Sequence, residues 1–172
     1  MKKLGLFYGS DSSNTEDASN EMAELLEQAG HEVEVIEVIN RMDPARLNEF
    51  ENVIVGCPTW DIGELQSDWE RVYKHLGDIR FDGQKIALFG CGDAAGYPDT
   101  FQDAIGILGK EFRERGATIV GLWPTEDYDF SQSEALEDDH FLGLALDYDN
   151  EADKSSERIA TWVAQIIREF EL

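Results

Sequence analysis

The sequence predicts an α/β protein: one parallel sheet of five strands, covered by helices on both faces. Three observations carry that prediction. Apolar runs alternate with helical patterns from end to end, no repeat or Pro/Gly/Ser-rich linker interrupts them, and 172 residues hold one sizeable core but not comfortably two. A single domain over residues 1–172 is therefore expected. Lys3 to Tyr8 is the first strand. Ala18, Met22, Leu25, Leu26 and Ala29 follow at i, i+4, i+7, i+8 and i+11, one stripe of a helix that Gly30 stops. The second strand is His31 to Val38, and Asp43 to Glu49 has room for one more helical turn. Asn52 to Gly56 is the third strand, and a short helix runs from about Gln66 to Leu76. Lys85 to Gly90 is the fourth strand, followed by a helix whose buried stripe is Phe101, Ala104, Ile105, Leu108 and Phe112. Ala117 to Trp123 starts the fifth strand. The last helix carries Ile159, Trp162, Val163, Ile166, Ile167 and Phe170 on one face, so these aromatics are expected in the core.

From Pro124 to His140 the chain turns polar and acidic, and a strand-like run resumes at Phe141 to Leu146. This pattern predicts an insertion of about residues 124–140 within the fifth strand.

Fourteen Lys and Arg against 37 Asp and Glu leave a formal net charge of -23. Such a field repels nucleic-acid phosphates and anionic membrane surfaces, and it attracts basic protein faces in a salt-dependent way. The apolar run at Leu4 to Tyr8 is too short for a signal-peptide core or a membrane span, so a cytoplasmic location is expected. Cys57 and Cys91 make neither a disulfide framework nor a metal-site spacing, and His31, His75 and His140 are scattered, so no metal is expected.

Ligands of open parallel sheets sit outside the carboxyl ends of the strands, so the loops after strands one, three and four are the candidate site. The first runs from Gly9 to Thr15 and leads into a helix start. Its hydroxyls and backbone N–H groups can cradle a phosphate without any Lys or Arg. It has neither the glycines and lysine of a nucleotide-hydrolysing P-loop nor a G-x-G-x-x-G turn. Ser13 to Glu16 also reads as an S-x-x-E capping box that would simply start the helix. The second loop, Gly56 to Glu64, holds Trp60 among turn residues, where its face can stack on a flat ligand. The third, Gly90 to Asp99, adds Tyr97 and three glycines that admit close backbone approach.

The segments GLFYGSDSSNTE, GCPTWDIGELQSDW, FGCGDAAGYPDTFQDAIG, GLWPTEDYDF and GLALDYDN resemble the successive signatures of the flavodoxin family, and the resemblance covers the whole chain. The excursion from Pro124 to His140 resembles the loop that marks long-chain members. The resemblance implies a flavodoxin-like three-layer sandwich with strand order 2-1-3-4-5 and a non-covalently bound FMN. It implies that Ser10, Ser12, Asn14 and Thr15 hold the FMN phosphate, with Asp11 and Ser13 in the same loop. Trp60 and Tyr97 would flank the isoalloxazine. Asp93 and the backbone around Thr59 and Cys91 would meet its polar edge, with Pro58, Asp61, Ile62, Gly63, Gly92 and Asp99 completing the two loops. Asp149 would reach the ribityl chain. The phosphate loop departs from the family's T-x-T-G-x-T pattern: Ser10 and Ser12 replace threonines and Ser13 stands at the glycine position. A left-handed Ser13 would cost about 1 to 3 kcal/mol.

The implied function is that of a low-potential one-electron carrier, not a stand-alone catalyst. In the family, reduction flips the peptide after the tryptophan, here Asp61-Ile62, and its carbonyl stabilises the neutral semiquinone, so the protein shuttles between semiquinone and hydroquinone. Asp61, Glu64 and Asp68 in one loop and Asp93, Asp99 and Asp103 in the other resist formation of the anionic hydroquinone. One such acid at about 10 Å and an effective dielectric near 40 costs that anion about 0.8 kcal/mol, or roughly 35 mV. A basic NADPH-dependent flavodoxin/ferredoxin reductase is the implied donor to a monomeric carrier. Two rivals share the strand order. An NAD(P)H:quinone reductase needs a nicotinamide element that is not evident here. A phosphoryl-accepting receiver needs acids where Tyr8-Gly9-Ser10 and Gly56-Cys57-Pro58 stand.

Overall fold

Alternate residues of each central strand face opposite ways, and in this chain both sets are apolar. A computed structural model describes residues 1–10, 12–39 and 41–172. Strands β1 (Lys2–Tyr8), β2 (Glu34–Glu37) and β3 (Phe50–Gly56) pair in parallel, with β1 between the other two. After β3 come a hairpin of two two-residue strands, β4 (Thr59–Trp60) and β5 (Glu64–Leu65), and then β6 (Lys85–Cys91), which lies parallel to β3. β7 (Thr118–Val120), β8 (Trp123–Pro124), β9 (Leu136–Glu137), β10 (His140–Phe141) and β11 (Gly143–Leu146) complete the strands. β7 runs beside the first half of β6 and β11 beside the second, both in parallel. The fifth strand position is thus filled twice, and the order is the expected 2-1-3-4-5.

The excursion between β7 and β11 folds on itself as a three-stranded antiparallel sheet, β8-β10-β9. The run expected as one strand at 117–123 therefore divides between two sheets. It does so at Gly121, whose φ of +77° turns the chain out of the main sheet.

The helices are α1 (Ser13–Gln28), α2 (Ser67–Lys74), α3 (Asp103–Glu114), α4 (Tyr148–Glu151) and α5 (Ser155–Phe170), with 3-10 turns at Pro44–Glu49 and Ala152–Lys154. α1 ends as expected. Gly30, at φ +89°, lets its own N–H reach the Glu27 carbonyl and the His31 N–H reach the Leu26 carbonyl, the bond pair of a Schellman motif.

Leu4, Leu6, Ile54, Ala87 and Phe89 bury one face of the sheet against α1 and α5. Phe7, Val53, Val55, Ile86 and Leu88 bury the other against α2, α3 and the excursion. This two-sided burial explains why the strands read as continuous apolar runs. In the stripe expected on α1, Ala18, Met22 and Leu26 are buried, Leu25 is half-buried and Ala29 is exposed beside the helix stop. The excursion contributes core of its own: Phe101 meets Tyr128, Phe130 and Phe141 at ring-centre distances of 5.9, 5.7 and 5.7 Å. Among the described residues, no helix is long and apolar enough to cross a membrane.

Candidate cofactor site

The carboxyl ends of β1, β3, β6 and β11 open into one cleft of about 390 Å³, within the range of about 300–1,000 Å³ usual for small-ligand sites. Ser12, Asn14, Pro58, Thr59, Trp60, Asp61, Cys91, Gly92, Asp93, Tyr97, Thr100, Phe101, Gln102, Tyr148 and Asp149 line it. All three loops singled out in the sequence therefore meet. No basic residue is present among the described residues that form the lining.

Ser12 is the N-cap of α1, with extended backbone and no side-chain capping bond, and Ser13 is the first helical residue. Two expectations are corrected by this. The Ser13–Glu16 capping box does not form, because the helix starts one residue too early for Ser13 to cap it. Ser13 also has no left-handed strain, since helical geometry needs none. The first-turn N–H groups of α1, beside Ser12 and Asn14, lack intrahelical acceptors and suit an anion. The Ser10 hydroxyl donates to the Ser12 carbonyl. Thr15 is buried and its hydroxyl faces the Cys91 sulfur at 3.6 Å. Ser10, Ser13 and Thr15 thus lie outside the lining, and Asp11 falls outside the described residues.

The second loop is the hairpin β4–β5, with Asp61 at φ +42° and Gly63 at φ +83° in its tip. Its base is fixed from below. The Ala104 N–H donates to Thr59 Oγ1 at 3.0 Å, and the Trp69 indole donates to the Gly56 carbonyl at 2.8 Å. Buried Gln66 caps α2 by accepting from the Trp69 N–H at 3.2 Å. Trp60 borders the cleft half-buried, whereas Ile62, 78 % exposed, and Gly63 lie outside the lining.

In the third loop Asp93 accepts from the Gly96 N–H and from Asn150 Nδ2, each at 2.8 Å. Those two bonds, the Gly96 one foremost, hold its carboxyl below the usual range. Tyr97 borders the cleft at 46 % exposure, and Asp99 lies outside the lining. Asp147 is fully buried and accepts from the N–H groups of Ala94 and Asn150 at 3.1 and 3.0 Å, which ties the β11–α4 turn to this loop. Carboxylate oxygens of Asp93, Asp147 and Asp149 lie within 4.8 Å of one another. Burial first, then the charges of Asp93 and Asp147, raise the Asp149 carboxyl.

Thr100, Phe101, Gln102 and Tyr148 also line the cleft, and none was expected there from the sequence. Phe101 is the core residue it was read to be, with one edge at the cleft floor. Gln102 caps α3 from the left-handed region at φ +62°, and its Nε2 donates to the Leu146 carbonyl at 3.1 Å. Gln102 Oε1 and Thr100 Oγ1 are buried without partners. Orphaned polar atoms of this kind cost free energy unless a ligand satisfies them. Two aromatic rings, the polar lining residues Thr59, Asp61, Asp93 and Asp149 and a bare helix N-terminus together fit a flat ligand with a polar rim and a phosphate.

Cys57 packs with Val55 and Leu88 on one face of the sheet, and Cys91 packs with Phe89 on the other. Burial pushes both thiols up to about 12. Neither position favours a disulfide or a reactive thiolate.

A family model described as flavodoxin matches residues 6–162 of the chain. A flavodoxin from Nostoc sp. is 47 % identical over 172 residues, covering 99 % of both chains. Flavodoxin 1 of Escherichia coli is 41 % identical, with 100 % of this chain and 97 % of that one covered. The solved structure of Fusobacterium nucleatum flavodoxin bound to flavin mononucleotide superposes with a TM-score of 0.91 at 29 % identity, over 99 % of each chain.

Proposed function

The chain belongs to the flavodoxin family, and on that premise we propose that it is an FMN-dependent one-electron carrier of low potential, folded as a single FMN-binding domain over residues 1–172. It is an electron-transfer protein and not a stand-alone catalyst. The observation that carries this reading is the meeting of Trp60, Tyr97, Thr100, Gln102 and the α1 N-terminus around one cleft without a basic residue among the described lining.

FMN supplies the redox chemistry, accepting and releasing electrons singly, while the chain binds, orients and tunes. Ser12, Asn14 and the first N–H groups of α1 take the phosphate, and Ser10, Asp11, Ser13 and Thr15 complete that loop. Neutral donors suffice because the helix N-terminus already carries partial positive charge. Trp60 and Tyr97 flank the ring. Thr59, Cys91, Gly92 and Asp93 meet its polar edge beside Thr100 and Gln102, with Pro58, Asp61, Ile62, Gly63 and Asp99 framing the two loops. Asp149 reaches the ribityl chain. Asp61, Asp93 and Asp149 on the lining would disfavour added negative charge on a bound flavin and so lower the potential of its second reduction.

The carrier works with redox partners. Net charge of -23 favours partners with basic docking faces, and an NADPH-dependent flavodoxin/ferredoxin reductase is the donor in this reading. It acts as a monomer in the cytoplasm, a reducing compartment that suits two free cysteines.

Spectroelectrochemical titration of the purified chain loaded with FMN tests the function. Two separate one-electron steps are expected, the second more negative. A chain that stays colourless with excess FMN, or that oxidises NAD(P)H steadily by itself, is not this carrier.

A further inference from the structure

Asp103 is the first residue of α3 and is only 7 % exposed. An acid at a helix start normally faces water, where the helix dipole alone favours it. This one is wedged between two other segments. Its Oδ1 accepts from the Glu134 backbone N–H of the excursion at 2.8 Å. Its Oδ2 lies against Gly63, so close that a β-carbon there would stand 2.6 Å away. The next residue, Ala104, donates its N–H to Thr59 Oγ1. Two successive residues of α3 therefore seat the base and the tip of the hairpin that carries Trp60. The excursion reaches α3 at one further point: a β-carbon on Gly106 would lie 2.5 Å from the Glu134 carbonyl group. Glu134, Asp103 and Gly63 form a continuous path from the excursion to the cleft, although Asp103 does not line the cleft itself.

From this path we infer that Asp103 is a positioning residue through which the long insertion sets the rest position of the 61–63 turn, and with it FMN affinity and the spacing of the two electron steps. Its consequence for the cofactor rests on the carrier reading above. The coupling itself resides in the chain and is legible without flavin.

The experiment compares wild type, Asp103→Ala, Asp103→Asn and Gly106→Ala as full chains. Amide hydrogen exchange is read in the apoprotein, and FMN dissociation and both midpoint potentials in the loaded protein. Asp103→Ala is expected to speed exchange at residues 61–64 by about tenfold, the scale of one lost buried hydrogen bond, to weaken FMN binding and to shift the spacing of the potentials. Asp103→Asn keeps an oxygen for the Glu134 N–H and should restore most of each property. Gly106→Ala touches no hairpin atom, yet by displacing Glu134 it should reproduce the faster exchange at 61–64. It also carries the comparison should Asp103→Ala not fold. Unchanged hairpin exchange in every variant that folds, with only the melting temperature lowered, overturns the coupling and leaves Asp103 a helix-start residue. Failure to bind FMN would sink the carrier reading while leaving the apoprotein comparison to decide the coupling.

Discussion

Asn150 Nδ2 donates to Asp93 Oδ1 at 2.8 Å and to Asp147 Oδ2 at 2.9 Å, so one amide holds two carboxylates that would otherwise repel across the cleft wall. Removing it should be felt first at Asp93, whose carboxyl is held low by the Gly96 N–H and then by this amide. A group with a lowered folded pKa stabilises the protein above its ordinary value, and that contribution disappears as pH falls through the folded value. Asn150→Ala should therefore raise the Asp93 carboxyl toward about 3.9 and move acid unfolding of the apoprotein to higher pH. The loss at neutral pH should be about 1–2 kcal/mol, reduced because Asp93 is partly solvated. Carboxyl NMR titration reads both; an unmoved Asp93 would falsify the assignment.

Much of this architecture was legible because burial on both sheet faces writes unbroken apolar runs into the sequence. Even the doubled fifth strand showed as a run that stops at Trp123 and resumes at Phe141. The cleft was legible where a turn residue had no reason to be aromatic, as at Trp60 and Tyr97. It was not legible at Gln102, because glutamine gives no sign of left-handed backbone. Its position two residues before Ala104, the first apolar residue buried on α3, was the one available hint. Tyr148 sits beside Asp149 in the same short motif and could have been paired with it. Asp103 was counted only as a charge, since nothing in sequence spacing places Glu134 or Gly63 against it. The alternative reading of Ser13 as a cap fails because Ser12, an equally good capping type one residue earlier, takes the N-cap position.

Trp60 and Tyr97 should both matter to FMN, unequally. The indole offers the larger face and is half-buried, while the phenol ring is 46 % exposed and its stacking is partly shared with water. Trp60→Ala should weaken FMN binding by about 2 kcal/mol, roughly thirtyfold, and Tyr97→Ala by about 1 kcal/mol. Fluorescence titration of each apoprotein with FMN measures this. Equal affinities for wild type and both variants would remove the two rings from the site.

Arg158 is nearly buried. Its guanidinium lies 4.3 Å from the centre of the Tyr128 ring and contacts Glu151 Oε1 at 3.3 Å. Tyr128 in turn donates to the Ala145 carbonyl at 2.5 Å and accepts from the Trp123 indole at 2.9 Å, so the arginine pins the excursion to α5 and β11. Arg158→Met should cost about 2–3 kcal/mol, at the low end for a broken buried pair because Glu151 keeps Lys154 at 2.6 Å. Arg158→Lys should recover little, since an ammonium lacks the flat face that covers the ring. Urea unfolding of the apoproteins gives both numbers. Full recovery by lysine would mean that charge alone, and not the stack, holds the excursion.

Cys57 and Cys91 follow neighbouring strands into one cleft region, which makes a thiol switch the obvious idea for a redox protein, yet the packing argues against it. Successive positions of a strand face opposite sides of the sheet. Cys57 shares its side with Val55 and Leu88, and Cys91 shares the other with Phe89. Bringing the sulfurs together would require one strand end to turn over. Burial also pushes both thiols up to about 12, so at pH 8 both stay overwhelmingly protonated. The folded protein should therefore alkylate slowly with iodoacetamide and keep both thiols after diamide treatment, whereas in urea both should react at the rate of free cysteine. Cys91 borders the cleft and Cys57 does not, so whatever slow labelling occurs in the apoprotein should fall on Cys91 and be suppressed by FMN. Intact mass spectrometry distinguishes these outcomes. A folded product lighter by two hydrogens after oxidation would establish the disulfide that this geometry opposes.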